Sequence, residues 1–219
     1  MYMNNSRESA ELLLKAWPSI VSECRATLGS ELYYQAVVYH NLRKAGAPLT
    51  QIGMNVKMQI DNPVSQLFQE LDLRKHENFR GGFEPIPDVA MFSSLVSSDW
   101  RRRNSTATLR ALLLAVEVKA SERAGGRLRP GEVIGDIEKL AAHRDEAVHH
   151  GTDFYPVMMV IDTAPLLKEQ MTNYGYTEAI RSAEEFDVGF LYLSPDTEFD
   201  SVSAHLKSLD SGRLASLTE

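Results

Sequence analysis

The stretch Leu112–Lys119, LLLAVEVK, decides how this chain folds, because it joins an apolar run to two charged residues. Residues i and i+2 of a β-strand point to the same face of a sheet. Glu117 and Lys119 therefore share one face, while Val116 and Val118 face the other. Burial of a lone carboxylate is costly. Either the two charged side chains neutralise each other in an ion pair, or a ligand lies between them.

A second acidic residue interrupts a predicted strand further upstream. Residues 83–92, FEPIPDVAMF, read as a strand in which Asp88 breaks the apolar pattern. If this strand pairs with the predicted strand 109–119 as a long hairpin, Asp88 lies beside Glu117. Two adjacent carboxylates repel each other unless a cation bridges them, and hard divalent cations take oxygen ligands. The alternative for Asp88 is a turn residue that follows Pro87.

Hydrophobic periodicity predicts an α/β fold for the chain as a whole. The predicted helices are 6–28, 31–46, 63–76, 131–151 and about 165–183, and the predicted strands are 52–60, 83–92, 109–119, 155–162 and 187–194. Strands that first follow one another and then alternate with helices indicate a mixed β-sheet with helices on both faces. We expect one domain over residues 1–219, with an N-terminal helical extension (1–28), a core (29–194) and a polar C-terminal tail (195–219).

The composition is that of an ordinary soluble globular protein, with 43% hydrophobic and 24% charged residues. No basic leader precedes an apolar run, and no stretch approaches the roughly 20 apolar residues that cross a bilayer. We therefore expect a cytoplasmic protein without a membrane partner, in which the single cysteine, Cys24, is a buried apolar residue. The net charge of −7 argues against coating of nucleic acid by bulk attraction, but not against a local contact.

The dipeptide Pro87-Asp88, followed by Glu117-Val118-Lys119, resembles the motif of the PD-(D/E)XK nuclease superfamily, which has the restriction-endonuclease-like fold. The resemblance covers most of the chain upstream of the tail, because the family core also runs helix, three strands, helix, strand. It implies a mixed β-sheet flanked by helices and a nuclease that depends on Mg²⁺, with Mn²⁺ as a substitute. The expected reaction is hydrolysis of phosphodiester bonds, in DNA rather than in RNA.

The resemblance also implies a role for each residue of the motif. Asp88, Glu117 and Lys119 form the predicted catalytic set. Asp88 and Glu117 are the expected metal ligands, with the Val118 carbonyl as a third ligand and Glu31 as an accessory ligand. Lys119 would orient or deprotonate a water molecule, or stabilise developing negative charge. The alternative for Glu31 is an acid favoured by the dipole in the first turn of a helix.

Two further groups are predicted to contact nucleic acid. Arg101, Arg102 and Arg103 follow Trp100 and could bind backbone phosphates while the indole stacks on a base. The alternative for these arginines is a charged hairpin tip. Gln35 lies one turn after Glu31 on the same helical face, and its alternative is an interior hydrogen bond or a solvated edge.

The predicted helix 131–151 carries several polar residues along one edge. Asp136, Lys139, His143 and His150 are spaced so that they could reach a phosphate. A solvated helix face is the alternative for all four.

Two other functions remain compatible with the same residues. The chain could be a nuclease-fold protein that has lost catalysis and serves in binding or regulation, or an unrelated α/β interaction protein in which the motif is coincidental. No target-reading domain is recognisable. Cleavage of both strands of a duplex asks for two active sites, so the prediction allows a homodimer.

Overall fold

The computed structural model describes residues 2–77, 80–98 and 106–208 around a central six-stranded sheet. The helices are α1 (Ser6–Ala26), α2 (Glu31–Ala45), α3 (Gln66–Leu73), α4 (Thr106–Ala111), α5 (Pro130–His149) and α6 (Asn173–Glu185), and residues 202–208 are also helical. The strands are β1 (Ile52–Met54), β2 (Ile60–Asp61), β3 (Gly82–Phe83), β4 (Val89–Phe92), β5 (Leu112–Ala120), β6 (Tyr155–Ile161), β7 (Gly189–Leu193) and β8 (Glu198–Asp200).

The central sheet has the strand order β1-β4-β5-β6-β7-β8 and is mixed. β5 pairs antiparallel with β4 and parallel with β6, and β6 pairs parallel with β7. β1 and β8 are antiparallel to their neighbours. Because β5 has a partner along each side and helices on both faces, its apolar run is buried. The predicted mixed sheet is confirmed.

Helices cover both faces of this sheet, as the sequence predicts. Side chains of α1 and α2 pack on one face with Val116 and Val118 of β5, and side chains of α3, α5 and α6 pack on the opposite face with Ala115. Glu117 and Lys119 alternate with the two valines, so they lie on the α5 face. The polar pair therefore interrupts a core face instead of lying on an open surface.

The helix that carries Glu31 and Gln35 has the bounds that its sequence predicts. α2 begins after Ser30 and ends before Gly46, whose backbone φ is 124°. That conformation strongly favours glycine, which explains why the helix stops there. Gln35 and Leu42 are buried on its inner side.

The continuous strand predicted for residues 52–60 is wrong. β1 ends at Met54, because Asn55 has a left-handed backbone with φ of 52°. The chain then leaves the central sheet and forms β2, which pairs with β3 in a separate two-stranded sheet. The alternating apolar residues fill the core on both sides of this break.

The predicted strand 83–92 is divided as well. β3 ends at Phe83 and β4 begins only at Val89. Pro85 and Pro87 lie between them, and proline has no N–H with which to extend a β-ladder. This interruption leaves Asp88 directly before β4.

Three other boundaries differ from the prediction. The strand predicted from residue 109 begins at Leu112, because the preceding residues end α4. The helix predicted from residue 165 begins at Asn173, where Thr172 caps it by accepting a hydrogen bond from the Gly175 N–H at 3.1 Å. The predicted polar tail, 195–219, contributes β8 to the sheet.

The structure also bears on two expectations from the composition. Cys24 is fully buried, which confirms its assignment as an apolar core residue, and burial raises the pKa of its thiol to about 12. No helix within the described ranges is long and apolar enough to cross a membrane.

Candidate functional site

The pairing of β4 with β5 brings Asp88 to the charged end of β5. Val89 lies opposite Val116, so Asp88 lies next to Glu117 when the register is continued by one residue. The Asp88 carboxylate reaches further along β5, where its Oδ2 accepts a hydrogen bond from the Val118 N–H at 2.7 Å. The predicted pairing between the two halves of the motif is therefore present.

Asp88 is buried and held from two sides, with 7% of its surface exposed. Its Oδ1 accepts a hydrogen bond from Gln35 Nε2 at 2.7 Å, and the Asn55 side chain donates to Gln35 Oε1 at 3.5 Å. The Asn55 N–H also donates to the backbone carbonyl of Asp88 at 3.1 Å. The left-handed turn at Asn55, which ends β1 early, thus helps to hold Asp88 in place.

Gln35 therefore makes an interior hydrogen bond, which was the alternative to its predicted contact with nucleic acid. Only 6% of Gln35 is exposed, and its amide bonds to Asp88 and Asn55. A direct contact with nucleic acid needs an accessible side chain. The structure therefore offers no support for Gln35 as a nucleic-acid contact, and it gives this residue a positioning role instead.

The Val118 backbone faces the same side as the Asp88 carboxylate. In a strand, the N–H and C=O of one residue point toward the same neighbouring strand. Because the Val118 N–H donates to Asp88, its carbonyl also points toward the β4 side. The residue opposite Val118 in the continued register is Pro87, which has no N–H to donate to that carbonyl. The predicted use of this carbonyl as a ligand is sterically compatible with the strand geometry.

Lys119 lies among several carboxylates instead of pairing with Glu117 alone. Its Nζ is 3.1 Å from Asp136 Oδ2 and 3.3 Å from Glu31 Oε1, while Glu117 Oε1 is 4.0 Å away. The ion pair between Lys119 and Glu117 is thus the longest of the three contacts. Glu31, predicted as an accessory ligand, does lie at this site.

Burial and repulsion between neighbouring carboxylates control the protonation of Asp88 and Glu117. Burial is the main cause that raises the pKa of Glu117 to about 8, and the negative charges of Asp88 and Asp136 add to the shift. Burial likewise raises the pKa of Asp88 to about 6, although the hydrogen bond from Val118 opposes it. Each carboxylate is therefore harder to ionise than a solvated one.

The pKa of Lys119 shifts in the direction that keeps its ammonium group charged. Burial alone would lower the pKa of the Lys119 ammonium group, but the attraction of Asp136, Glu31 and Glu117 outweighs it and raises the pKa above its ordinary value. Lys119 is therefore a fixed cation at neutral pH.

Sequence reasoning underestimated one residue of this cluster, Asp136. Its carboxylate pairs with Lys119 and also with Lys139, at 2.8 Å through Oδ1. Asp136 is 7% exposed and His143 is 2% exposed, so the solvated-face alternative is wrong for both. The signal was present in the spacing, because Asp136 lies three residues after the buried Val133 on the apolar stripe of α5.

Two cavities open on either side of the pair formed by Asp136 and Lys139. The larger, of about 430 Å³, lies between the start of α2, the end of β5 and the start of α5, and Glu31 and Lys119 line it. The smaller, of about 250 Å³, includes Glu117 in its wall. The charged cluster is therefore accessible from two directions.

Other predicted site residues are not placed by the structure. Arg101, Arg102 and Arg103 lie outside the described residues, so their contact with nucleic acid stays a prediction. Within the described ranges, no three or more His, Cys, Asp and Glu side chains are grouped so that they could hold a metal ion together. Comparison of the chain with protein-family models, curated proteins and solved structures gives no match.

Proposed function

We propose that this protein is a Mg²⁺-dependent nuclease, of the PD-(D/E)XK type, that hydrolyses phosphodiester bonds in DNA. One observation carries the proposal. The β4–β5 pairing joins Asp88 to the Glu117-Val118-Lys119 segment beside an open polar cavity, through a hydrogen bond of 2.7 Å. Residues separated by a long stretch of sequence thus meet in the arrangement that the resemblance requires.

The donor set is compatible with Mg²⁺. This ion commonly keeps several water molecules and binds to proteins through one or two carboxylates, so it does not need three protein acids. Each Asp88 oxygen already accepts one hydrogen bond and retains a second lone pair. The negative charge of Asp88 also raises the pKa of Glu117, and a bound cation would relieve this repulsion.

Asp88, Glu117 and the Val118 carbonyl would hold the ion, and Glu31 would be an accessory ligand. When bound, Mg²⁺ would supply Lewis-acid activation of water and neutralisation of phosphate charge. Glu117 must lose its proton before it can bind, because its pKa is raised to about 8. Gln35 keeps the Asp88 carboxylate oriented.

Lys119 would stabilise negative charge instead of acting as a base. Its raised pKa keeps it protonated, and a protonated amine cannot accept a proton from water. Its Nζ lies within 4.0 Å of both Glu31 and Glu117, so a phosphate that approached the two acids would also approach this cation. A donor fixed before the reaction lowers the barrier without further reorganisation.

The order of elements also supports the finer fold assignment. The central sheet's strands β1, β4, β5 and β6, with α2 and α5, follow the order helix, three strands, helix, strand, when β2, α3, β3 and α4 are counted as insertions. The insertion between the two motif strands contains α4 and the three arginines, which would bind the DNA backbone. We infer a restriction-endonuclease-like core from this order.

A cleavage assay tests the proposal. Linear duplex DNA, closed circular DNA, single-stranded DNA and RNA are incubated with the protein in Mg²⁺, in Mn²⁺ and in EDTA. We expect cleavage of DNA in either metal and none in EDTA. Glu117→Gln, purified in parallel, should be inactive. Failure to cut any substrate in either metal would refute the proposal, as would equal cleavage by the variant.

One observation favours a second candidate, a nuclease-fold binding protein without catalysis. Lys119 is already engaged by Asp136 and Glu31, which could form a purely structural ion-pair cluster. This candidate predicts nucleic-acid binding that is indifferent to Mg²⁺ and to Glu117→Gln. Metal-dependent cleavage excludes it.

A further inference from the structure

The smaller cavity differs in chemistry from the charged cluster beside it. Its walls include Phe83, Ile86 and Leu140, together with the two prolines that flank Ile86. The Phe83 ring is held by stacking on Phe68, with the ring centroids 4.2 Å apart and the planes inclined at 25°. Its volume of about 250 Å³ lies just below the range of about 300–1,000 Å³ that is typical of pockets for drug-sized ligands. The cavity therefore suits one planar ring system.

A neutral histidine forms part of the wall of this apolar space. His143 lines the cavity, and only 2% of it is exposed. Burial lowers the pKa of the imidazole to about 3, so the ring carries no charge. Its Nε2 is buried, with no hydrogen-bond partner among the described residues, and has almost no accessible surface. His143 therefore adds a neutral surface to the cavity and not an accessible nitrogen.

The cavity also adjoins the proposed catalytic groups. Glu117, Asp136 and Lys139 form part of its wall, and the last two also line the larger cavity. A ligand in the apolar cavity would therefore lie immediately beside any phosphate bound at Glu117. A nucleotide has this composition, since it joins a planar base with hydrogen-bonding edges to a charged phosphate.

We infer that the smaller cavity binds one nucleobase of the substrate, next to the phosphodiester that is cleaved. The base packs against Ile86 and Phe83, beside the neutral ring of His143. Apolar and aromatic contacts to a base tolerate different sequences, so this site should accept every nucleobase. This inference rests on the proposed function and adds a base-binding site to it.

Uncharged nucleosides test the site without metal and without cleavage. Deoxyadenosine, deoxyguanosine, deoxycytidine and thymidine are titrated in EDTA into protein labelled at isoleucine methyl groups and phenylalanine rings, with deoxyribose as the control. NMR spectra should show saturable shifts at Ile86 and Phe83 for the nucleosides and none for the sugar. The four nucleosides should bind with similar affinity, because apolar and aromatic contacts do not distinguish the bases.

Two matched substitutions keep the test specific. Ile86 is 40% exposed and Val148 is 57% exposed, so neither change should unfold the protein, and asparagine adds no charge at either position. Ile86→Asn should weaken nucleoside binding by about tenfold, the size expected for loss of one base contact. Val148→Asn, at the far end of α5, should leave binding unchanged.

The inference is overturned if nucleosides cause no saturable shift, if the shifts lie away from the cavity, or if the two variants behave alike. Its failure is distinct from failure of the proposed function. Nucleoside binding without any metal-dependent cleavage would leave the base site standing and refute the nuclease. Cleavage without nucleoside binding would support the nuclease and refute the base site.

Discussion

Two buried aspartates of this protein, Asp88 and Asp162, show what separates a structural acid from a candidate site. Asp162 directly follows β6 and is fully buried. Its Oδ2 accepts hydrogen bonds from the Met171 N–H and the Tyr192 hydroxyl, both at 2.8 Å. Both donors are neutral, and the bonds tie the loop before α6 to the sheet. Asp162 therefore stabilises local structure.

Asp88 also accepts two hydrogen bonds from neutral donors, but its surroundings are charged. Burial is the main cause that raises the pKa of Asp88, repulsion by Glu31 and Asp136 adds to the shift, and Lys119 opposes it. Asp88 in turn raises the pKa of Glu117. Asp162 has two neutral donors on Oδ2, and its Oδ1 has no partner among the described residues. Both aspartates are buried, so the neighbouring acids beside a cavity are what distinguishes Asp88.

The largest effect is expected from Lys119. Lys119→Ala should lower the rate of DNA cleavage by at least about 100-fold, because it removes a fixed charge beside the attacked phosphate. Divalent-metal affinity, measured by calorimetry, should change by only a few-fold, since lysine is not a ligand. Lys44→Ala is the control, because Lys44 also pairs with a carboxylate but lies at the opposite end of α2 from Glu31, with 57% of its side chain exposed. Loss of metal affinity together with activity would show that Lys119 holds the geometry of the site.

The next effect is a dependence of stability on pH. The folded-state pKa values of Asp88 and Glu117 are raised from 3.8 and 4.5 to about 6 and about 8. Between about pH 4 and pH 8 the folded protein binds more protons than the unfolded chain. The free energy of unfolding should therefore fall as the pH rises across this interval.

Glu117→Gln should remove the upper part of this fall, between about pH 6 and 8. Saturating Mg²⁺ should flatten the curve of the unmodified protein, because the ion compensates both charges. Glu138→Gln, on an exposed face of α5, is the matched control for loss of one acid. Denaturant melts at several pH values measure the effect. Stability that rises across this interval in the metal-free protein would contradict the proposed repulsion.

A smaller effect compares the two aspartates directly. Repulsion alone predicts that Asp88→Ala stabilises the metal-free protein. However, the substitution leaves the Val118 N–H and the Gln35 amide without an acceptor, and each unsatisfied buried donor costs about 1–3 kcal/mol. We therefore expect both Asp88→Ala and Asp162→Ala to lower the melting temperature. Only Asp88→Ala should abolish metal binding, and equal metal affinity of the two variants would break the comparison.

The smallest effect concerns Arg101, Arg102 and Arg103. If they bind the DNA backbone, reversal of all three to glutamate should weaken binding. The slope of log affinity against log salt should also fall by roughly 0.7–0.9 for each phosphate contact that is lost. Turnover at saturating substrate should survive. An unchanged salt slope would assign these arginines to a solvated tip, and normal binding without turnover would contradict both interpretations.

The core of the fold could be read from the sequence because its signals are local. The apolar run of β5 and the stripe of α5 each predict one element correctly, and Gly46 marks the end of α2. The division of residues 52–60 could not be read. Its alternating residues favour one strand, whereas the left-handed conformation of Asn55 depends on the distant backbone of Asp88.

The same distinction between local signals and distant contacts applies to the candidate site. Asp88, Glu117 and Lys119 could be found because the motif and the predicted pairing agree. The roles of Gln35 and Asp136 depend on contacts between elements that are distant in sequence, at 2.7 Å to Asp88 and 3.1 Å to Lys119. Sequence alone therefore identified the acids but not the residues that hold them.

Anomalous diffraction from a crystal soaked in Mn²⁺ tests the central claim most directly. We expect a peak between the carboxylates of Asp88 and Glu117, near the Val118 carbonyl. The same soak of Glu117→Gln crystals should give a much weaker peak at that position. Absence of a peak at saturating Mn²⁺ in the unmodified protein would contradict the account and leave a structural ion-pair cluster.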